Sequence, residues 1–243
     1  MRSALNFAVL TVLLVMWILP LQVYGDQSSI LAEVHRYSEQ MSQFESGSSK
    51  QPLDDLYLDG DVLADELSEV LETLSDQDYE LAQQEMKGFF VFREEIVGVK
   101  PKWLFFKELA LSKGSKEDVD FFSFMADVYG DDIRPVYEEQ VTDYSSCSSY
   151  GHGAMTRLYL AATRMKTPVN QVYRSAVDKV IAELKESLVD DNICVCDGPD
   201  TAIKELSLFV KMAKGATIRP DVKKLLAKII AGTSKARFHC HPG

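Results

Sequence analysis

Apolar residues recur at helical spacing from Ile30 to Ile230, and almost nothing else in the chain competes with that rhythm. Ile30, Leu31, Val34, Tyr37, Met41 and Phe44 mark one face of a first helix, and Gly47-Ser48-Ser49 ends it. Leu53 and Leu56 open a second face, which Gly60 interrupts and Leu63, Leu67, Val70, Leu71 and Leu74 resume. Ser75 with Asp78, and Ser115 with Asp118, have the spacing of capping boxes. The first is expected to lead Tyr79, Ala82, Met86 and Phe89 inward, the second Phe122, Met125 and Tyr129. Met155, Leu158, Tyr159, Ala162 and Met165 form a further stripe. Thr167 as N-cap and Pro168 at the first helical position then precede the cleanest helix, from Val172 to Leu188. Pro199 and Pro220 open two more, and Gly232 stops the last.

No alternating strand pair stands out. The reading is an all-α, irregular multi-helix bundle of roughly eight to ten helices. Seams at 47–51 and 145–153 are too short to be flexible linkers, so residues 26–243 are expected to form a single all-α domain.

Ahead of the helices stands a segment with the plan of an export signal. Arg2 supplies the positive start, Leu5 to Leu21 is nearly all apolar, and Val23-Tyr24-Gly25 resembles a cleavage site. Residues 1–25 are therefore read as a signal peptide and the mature chain as secreted or periplasmic. A retained membrane anchor is the competing reading, weakened by Pro20 and by the polar Asp26-Gln27-Ser28-Ser29 that follows. After cleavage no membrane insertion is expected.

The charge is uneven. Residues 26–100 hold 18 acidic against 5 basic side chains, whereas residues 201–243 hold 2 against 9. An acidic chain without a dense Lys/Arg patch is a poor nucleic-acid binder, and no nucleic-acid partner is expected.

Cys147, Cys194, Cys196 and Cys240 make an even set in an exported chain, which points to two disulfides. A Cys194–Cys196 bond would close a very small ring, so each of these two is expected to pair with Cys147 or Cys240, in either order. The rival is a metal-handling cluster of Cys147, His152, Cys194, Cys196, His239, Cys240 and His241, whose thiolates and imidazoles suit zinc or Cu(I). Its spacing lacks the Cys-x-x-Cys of a firm zinc motif, and oxidation competes for the thiols. No cofactor is expected.

Other patterns are weaker. Asp55, Asp59, Gly60, Val62 and Glu66 match part of a calcium-binding loop, but Tyr57 stands where a direct oxygen ligand belongs. Eight of the twelve Phe residues fall between 89 and 124, with Trp103, as core packing or the lining of an apolar pocket. Three lysines on the last helix, Lys223, Lys224 and Lys228, read as a solvated face. Glu94, Glu95 and His152 are the nominees if the chain is an enzyme, but no nucleophile motif accompanies them.

The segment Tyr144-Ser-Ser-Cys-Ser-Ser-Tyr150-Gly-His-Gly153 is rich in the residue types of adaptable recognition loops. Tyr144, Tyr150 and His152 are its candidate binding residues. The leading expectation is an exported, non-enzymatic binding or inhibitor-type protein with a protein or small-ligand partner. An extracytoplasmic metal-handling protein and an enzyme without a recognisable motif are the alternatives.

Overall fold

The computed structural model describes residues 29–94, 96–142, 145–165 and 171–240. Residues 1–25, read as a signal peptide, Glu95, Tyr144, the expected helix start at Thr167-Pro168 and His241 lie outside the described residues. Within them, nine α-helices and two two-stranded ribbons follow in order. Helix α1 spans residues 29–46, α2 Leu53–Val70 with a 3-10 turn Leu71–Thr73, and α3 Asp76–Glu85. Strands β1 Phe89–Arg93 and β2 Val97–Pro101 form a hairpin. Then come α4 Trp103–Lys113, α5 Lys116–Tyr129, the ribbon of β3 Glu138–Thr142 and β4 Ser145–Ser148, and α6 Ala154–Met165. Helices α7 Gln171–Val189, α8 Pro199–Met212 and α9 Arg219–Ile230 complete the chain. The helical bundle stapled by disulfides is the architecture the periodicity and cysteines implied.

Two compact units are distinguished by their internal packing. One takes in α1, α2 from Leu56 onward, α3 and the β1–β2 hairpin. The other takes in Pro52–Asp55 and everything from Lys102.

In the first unit, Ile30, Val34, Tyr37, Met41 and Phe44 are buried on one face of α1, as their spacing requires. Helix α2 does not break at Gly60. A Cβ there would stand 2.7 Å from the Tyr37 hydroxyl and 2.8 Å from the Phe89 ring, so glycine lets the helix pass against both rings. The same continuous helix removes the calcium-loop reading, because Asp55 to Glu66 lie on helical backbone where a loop was needed. Ser75 caps α3 by accepting from the Asp78 amide at 3.2 Å. That helix stops at Glu85, and Phe89, expected on its face, begins a strand instead. Phe89 and Val91 point inward from β1 while Val99 is buried opposite Val91. Arg93 closes the end of the hairpin, donating to the Leu74 carbonyl at 2.7 Å and lying 4.4 Å over the Tyr79 ring.

The second unit is centred on aromatic rings. Phe121 stacks on Tyr173 at 3.9 Å between centroids, Phe106 on Phe122 at 5.2 Å, and Trp103 on Tyr129 at 5.7 Å. Five of the eight clustered Phe residues (89, 106, 121, 122 and 124) are buried in their respective units, which answers the aromatic cluster with core packing. The capping box Ser115–Asp118 forms in full, and buried Asp118 also accepts from the Tyr173 hydroxyl at 2.5 Å. A structural carboxylate thus starts α5 and ties it to α7.

Candidate functional site

The four cysteines gather three distant stretches of the second unit. Cys147 of β4 bonds Cys196, and Cys194 bonds Cys240. This is one of the two orders the sequence left open. Backbone hydrogen bonds extend the tie. The Ser148 amide donates to Cys194 O at 2.8 Å and Cys196 donates back to Ser148 O at 3.0 Å. On the other side Val195 donates to Arg237 O at 2.8 Å, and Arg237 to Ile193 O at 2.9 Å. The short turn 193–196 is thus held between β4 and the C-terminal tail, with Val195 and Cys196 fully buried. All four sulfurs are oxidised, which leaves no thiolate for the metal-handling reading. His239, exposed and at a positive φ of 57°, and His152 remain as imidazoles without cysteine partners. Two disulfides point to an oxidising, extracytoplasmic environment. No helix among the described residues is long and apolar enough to cross a membrane.

The candidate loop divides sharply. Tyr150, expected at a binding surface, is 1% exposed and donates its hydroxyl to the Ser187 carbonyl. Burial keeps its phenol neutral beyond the usual range. It is a core residue, and the correction follows from the neighbouring bridge, which draws the chain inward at Cys147. His152 stays exposed. It sits between Gly151 and Gly153, both at positive φ (93° and 71°). A Cβ at Gly151 would meet Thr201 at 3.0 Å, and one at Gly153 would meet Leu208 at 2.8 Å. Two glycines therefore let the backbone lie against α8, and the imidazole between them is left at the surface.

Beneath this edge lies a residue the sequence did not single out. Glu205 of α8 is 1% exposed and accepts from the Gly153 amide at 2.5 Å, the Thr156 amide at 3.0 Å and the Thr156 hydroxyl at 2.8 Å. It supplies from another helix the cap that α6 lacks locally, and satisfies that helix's positive end. Above it is an open depression of about 500 Å³, bordered by Gly151, His152, Gly153, Lys204, Ser207, Leu208 and Lys211. Its charged lining is entirely basic.

A second cluster has a different chemistry. Tyr137 is fully buried, and its hydroxyl has no hydrogen-bond partner among the described residues. Burial raises its pKa, and the nearby Glu183, Tyr129 and Glu138 raise it further. The Glu138 carboxyl is held above the ordinary range by burial and then by Glu183, against the pull of Arg134. Burial also lifts Glu183, with Glu186 adding to it and Lys179 opposing. These groups favour their proton-bearing forms, the environment of a carboxyl that titrates late rather than of an activated nucleophile. Of the enzyme nominees, Glu94 is an exposed residue just beyond β1 in the first unit. His152 belongs to the basic edge of the second.

No known protein family matches this chain, and neither a curated protein nor a solved structure is significantly similar to it.

Proposed function

We propose that this chain is an exported binding protein, not an enzyme, and that it meets an acidic partner through the edge formed by His152, Lys204 and Lys211. The observation that carries this reading is that Lys204 and Lys211, with no acidic side chain, border the depression at 151–153, in a chain whose net charge is −11. A cationic patch on an anionic protein speeds encounter with an acidic surface and disfavours other orientations. The support beneath it is rigid. The Cys147–Cys196 bridge holds the base of the loop and Glu205 anchors the turn, which lowers the ordering that binding requires. The reading of residues 1–25 as an export signal, together with the oxidised cysteines, supports a partner outside the cytoplasm.

A photocrosslinking side chain at position 152, in the chain exported by its own cells, tests the proposal. A discrete acidic partner captured there, absent from exposed position 131, and lost in Lys204→Glu/Lys211→Glu supports it. No discrete adduct, or one indifferent to the charge reversal, overturns it.

A further inference from the structure

We infer that the second unit carries a separate site for a small amphipathic anion, an alkyl chain ending in one carboxylate. Between α6, α7 and the loop from α8 to α9 lies a depression of about 370 Å³. Leu160, Ile181, Met212, Ala213 and Ala216 make its walls largely apolar, with the ring of Tyr159 among them. Met212 is 48% exposed, a large apolar side chain facing water at the rim. Methionine adapts its shape to an apolar guest at little cost. The loop itself is well braced, Ala213 donating to Phe209 O at 2.8 Å and Ala216 to Ala213 O at 3.1 Å. Arg219 ties it back to α8 by donating to Val210 O at 2.9 Å. The depression is thus a formed feature of the fold.

Charge decides the class of ligand. No Asp or Glu lines the depression, whereas Lys185 of α7 and Lys214 of the loop both do. Among the described residues neither ammonium has an ion-pair partner. An uncharged apolar guest would leave both lysines unused, and a cationic one would be repelled by them. An alkyl carboxylate satisfies the apolar walls and the ammonium groups together. Size narrows it further. Ligand cavities run from roughly 300 to 1,000 Å³, so this volume suits one short chain and not a two-chain lipid or a folded peptide. The site shares none of its lining residues with the basic edge at His152.

The test is isothermal titration of the full, disulfide-intact mature chain with decanoate, decanol and decyltrimethylammonium, alongside co-sedimentation with anionic phospholipid vesicles. Saturable one-to-one binding of decanoate is expected, at least about tenfold tighter than either uncharged or cationic analogue. Lys185→Glu/Lys214→Glu should remove that preference, and Thr163→Trp should block the cavity. Lys185→Gln/Lys214→Gln provides the same test should the charge reversal disturb folding. The variant Lys204→Glu/Lys211→Glu should bind decanoate as the native chain does, which separates this site from the partner-binding edge. Equal binding of the cationic analogue, no effect of the lysine changes, or attachment to vesicles without decanoate binding overturns the inference.

Discussion

Glu205 joins two helices through one carboxylate, and its energetics follow from what it accepts. Three donors, two of them backbone amides at the start of α6, lose the acceptor they share once that side chain is gone. Glu205→Ala is expected to cost about 3 kcal/mol in chemical denaturation, since each buried polar group left unsatisfied costs about 1–3 kcal/mol. Thr156→Val, which removes one donor with its partner still served by two others, should cost about 1 kcal/mol. Tyr137 is the opposite case. Its hydroxyl is buried without a partner among the described residues, so Tyr137→Phe should leave stability unchanged or raise it by up to about 1 kcal/mol in urea unfolding. A loss greater than that would mean the hydroxyl makes a bond essential to the fold.

The element that organises the second unit is the tie between β4, the 193–196 turn and the tail. Neither β4 nor its partner β3 has the alternating apolar pattern of a strand, and Glu-Glu-Gln-Val-Thr against Ser-Ser-Cys-Ser is mostly polar. The pairing is favoured by the bridge at Cys147, a contact between residues 49 apart, which local periodicity does not register. The β1–β2 hairpin escaped for another reason. Phe-Phe-Val-Phe is apolar at every position, so period two and period 3.6 cannot be told apart in it. Each bridge closes a long loop, with separations of 49 and 46 residues. Chain entropy then assigns each a stabilisation of about 4 kcal/mol. Replacing Cys194 and Cys240 together by Ser should lower stability by about 2–4 kcal/mol and weaken hydrogen-exchange protection at Val195 and Arg237. The N-cap at Ser75, the capping box at Ser115, and the prolines opening α8 and α9 were by contrast fully legible, because each acts within one helical turn.

At the scale of the whole molecule two acid responses oppose each other. Asp191 pairs with Lys228 and accepts from Ser234 at 2.7 Å, and these contacts hold its pKa down to about 2. A carboxylate depressed in the folded state contributes stability above its unfolded pKa and loses it as the pH falls through the folded value. Asp191→Asn should therefore destabilise at pH 7, with the difference from the native chain fading between about pH 4 and pH 2. Glu183 has the reverse sign. Its raised pKa means that the folded state takes up its proton first, so ionisation costs stability as the pH rises through the folded value. Glu183→Gln should stabilise the chain at pH 7 and be neutral at pH 3, measured by thermal unfolding at both.

The sequence by itself determined the all-helical class, the caps at Ser75 and Ser115, the prolines that open α8 and α9, and the pairing rule that forbade Cys194–Cys196. These depend on residues within a turn or two of one another, where spacing and backbone freedom decide the outcome. Only the tertiary structure decided which order of disulfides forms, that Tyr150 turns inward, and that Glu205 caps a helix about fifty residues before it. It also gathered Lys204 and Lys211 beside His152, and Lys185 and Lys214 around an apolar hollow. Those groupings join residues far apart in the chain, and they arise only when burial and packing bring the helices that carry them together.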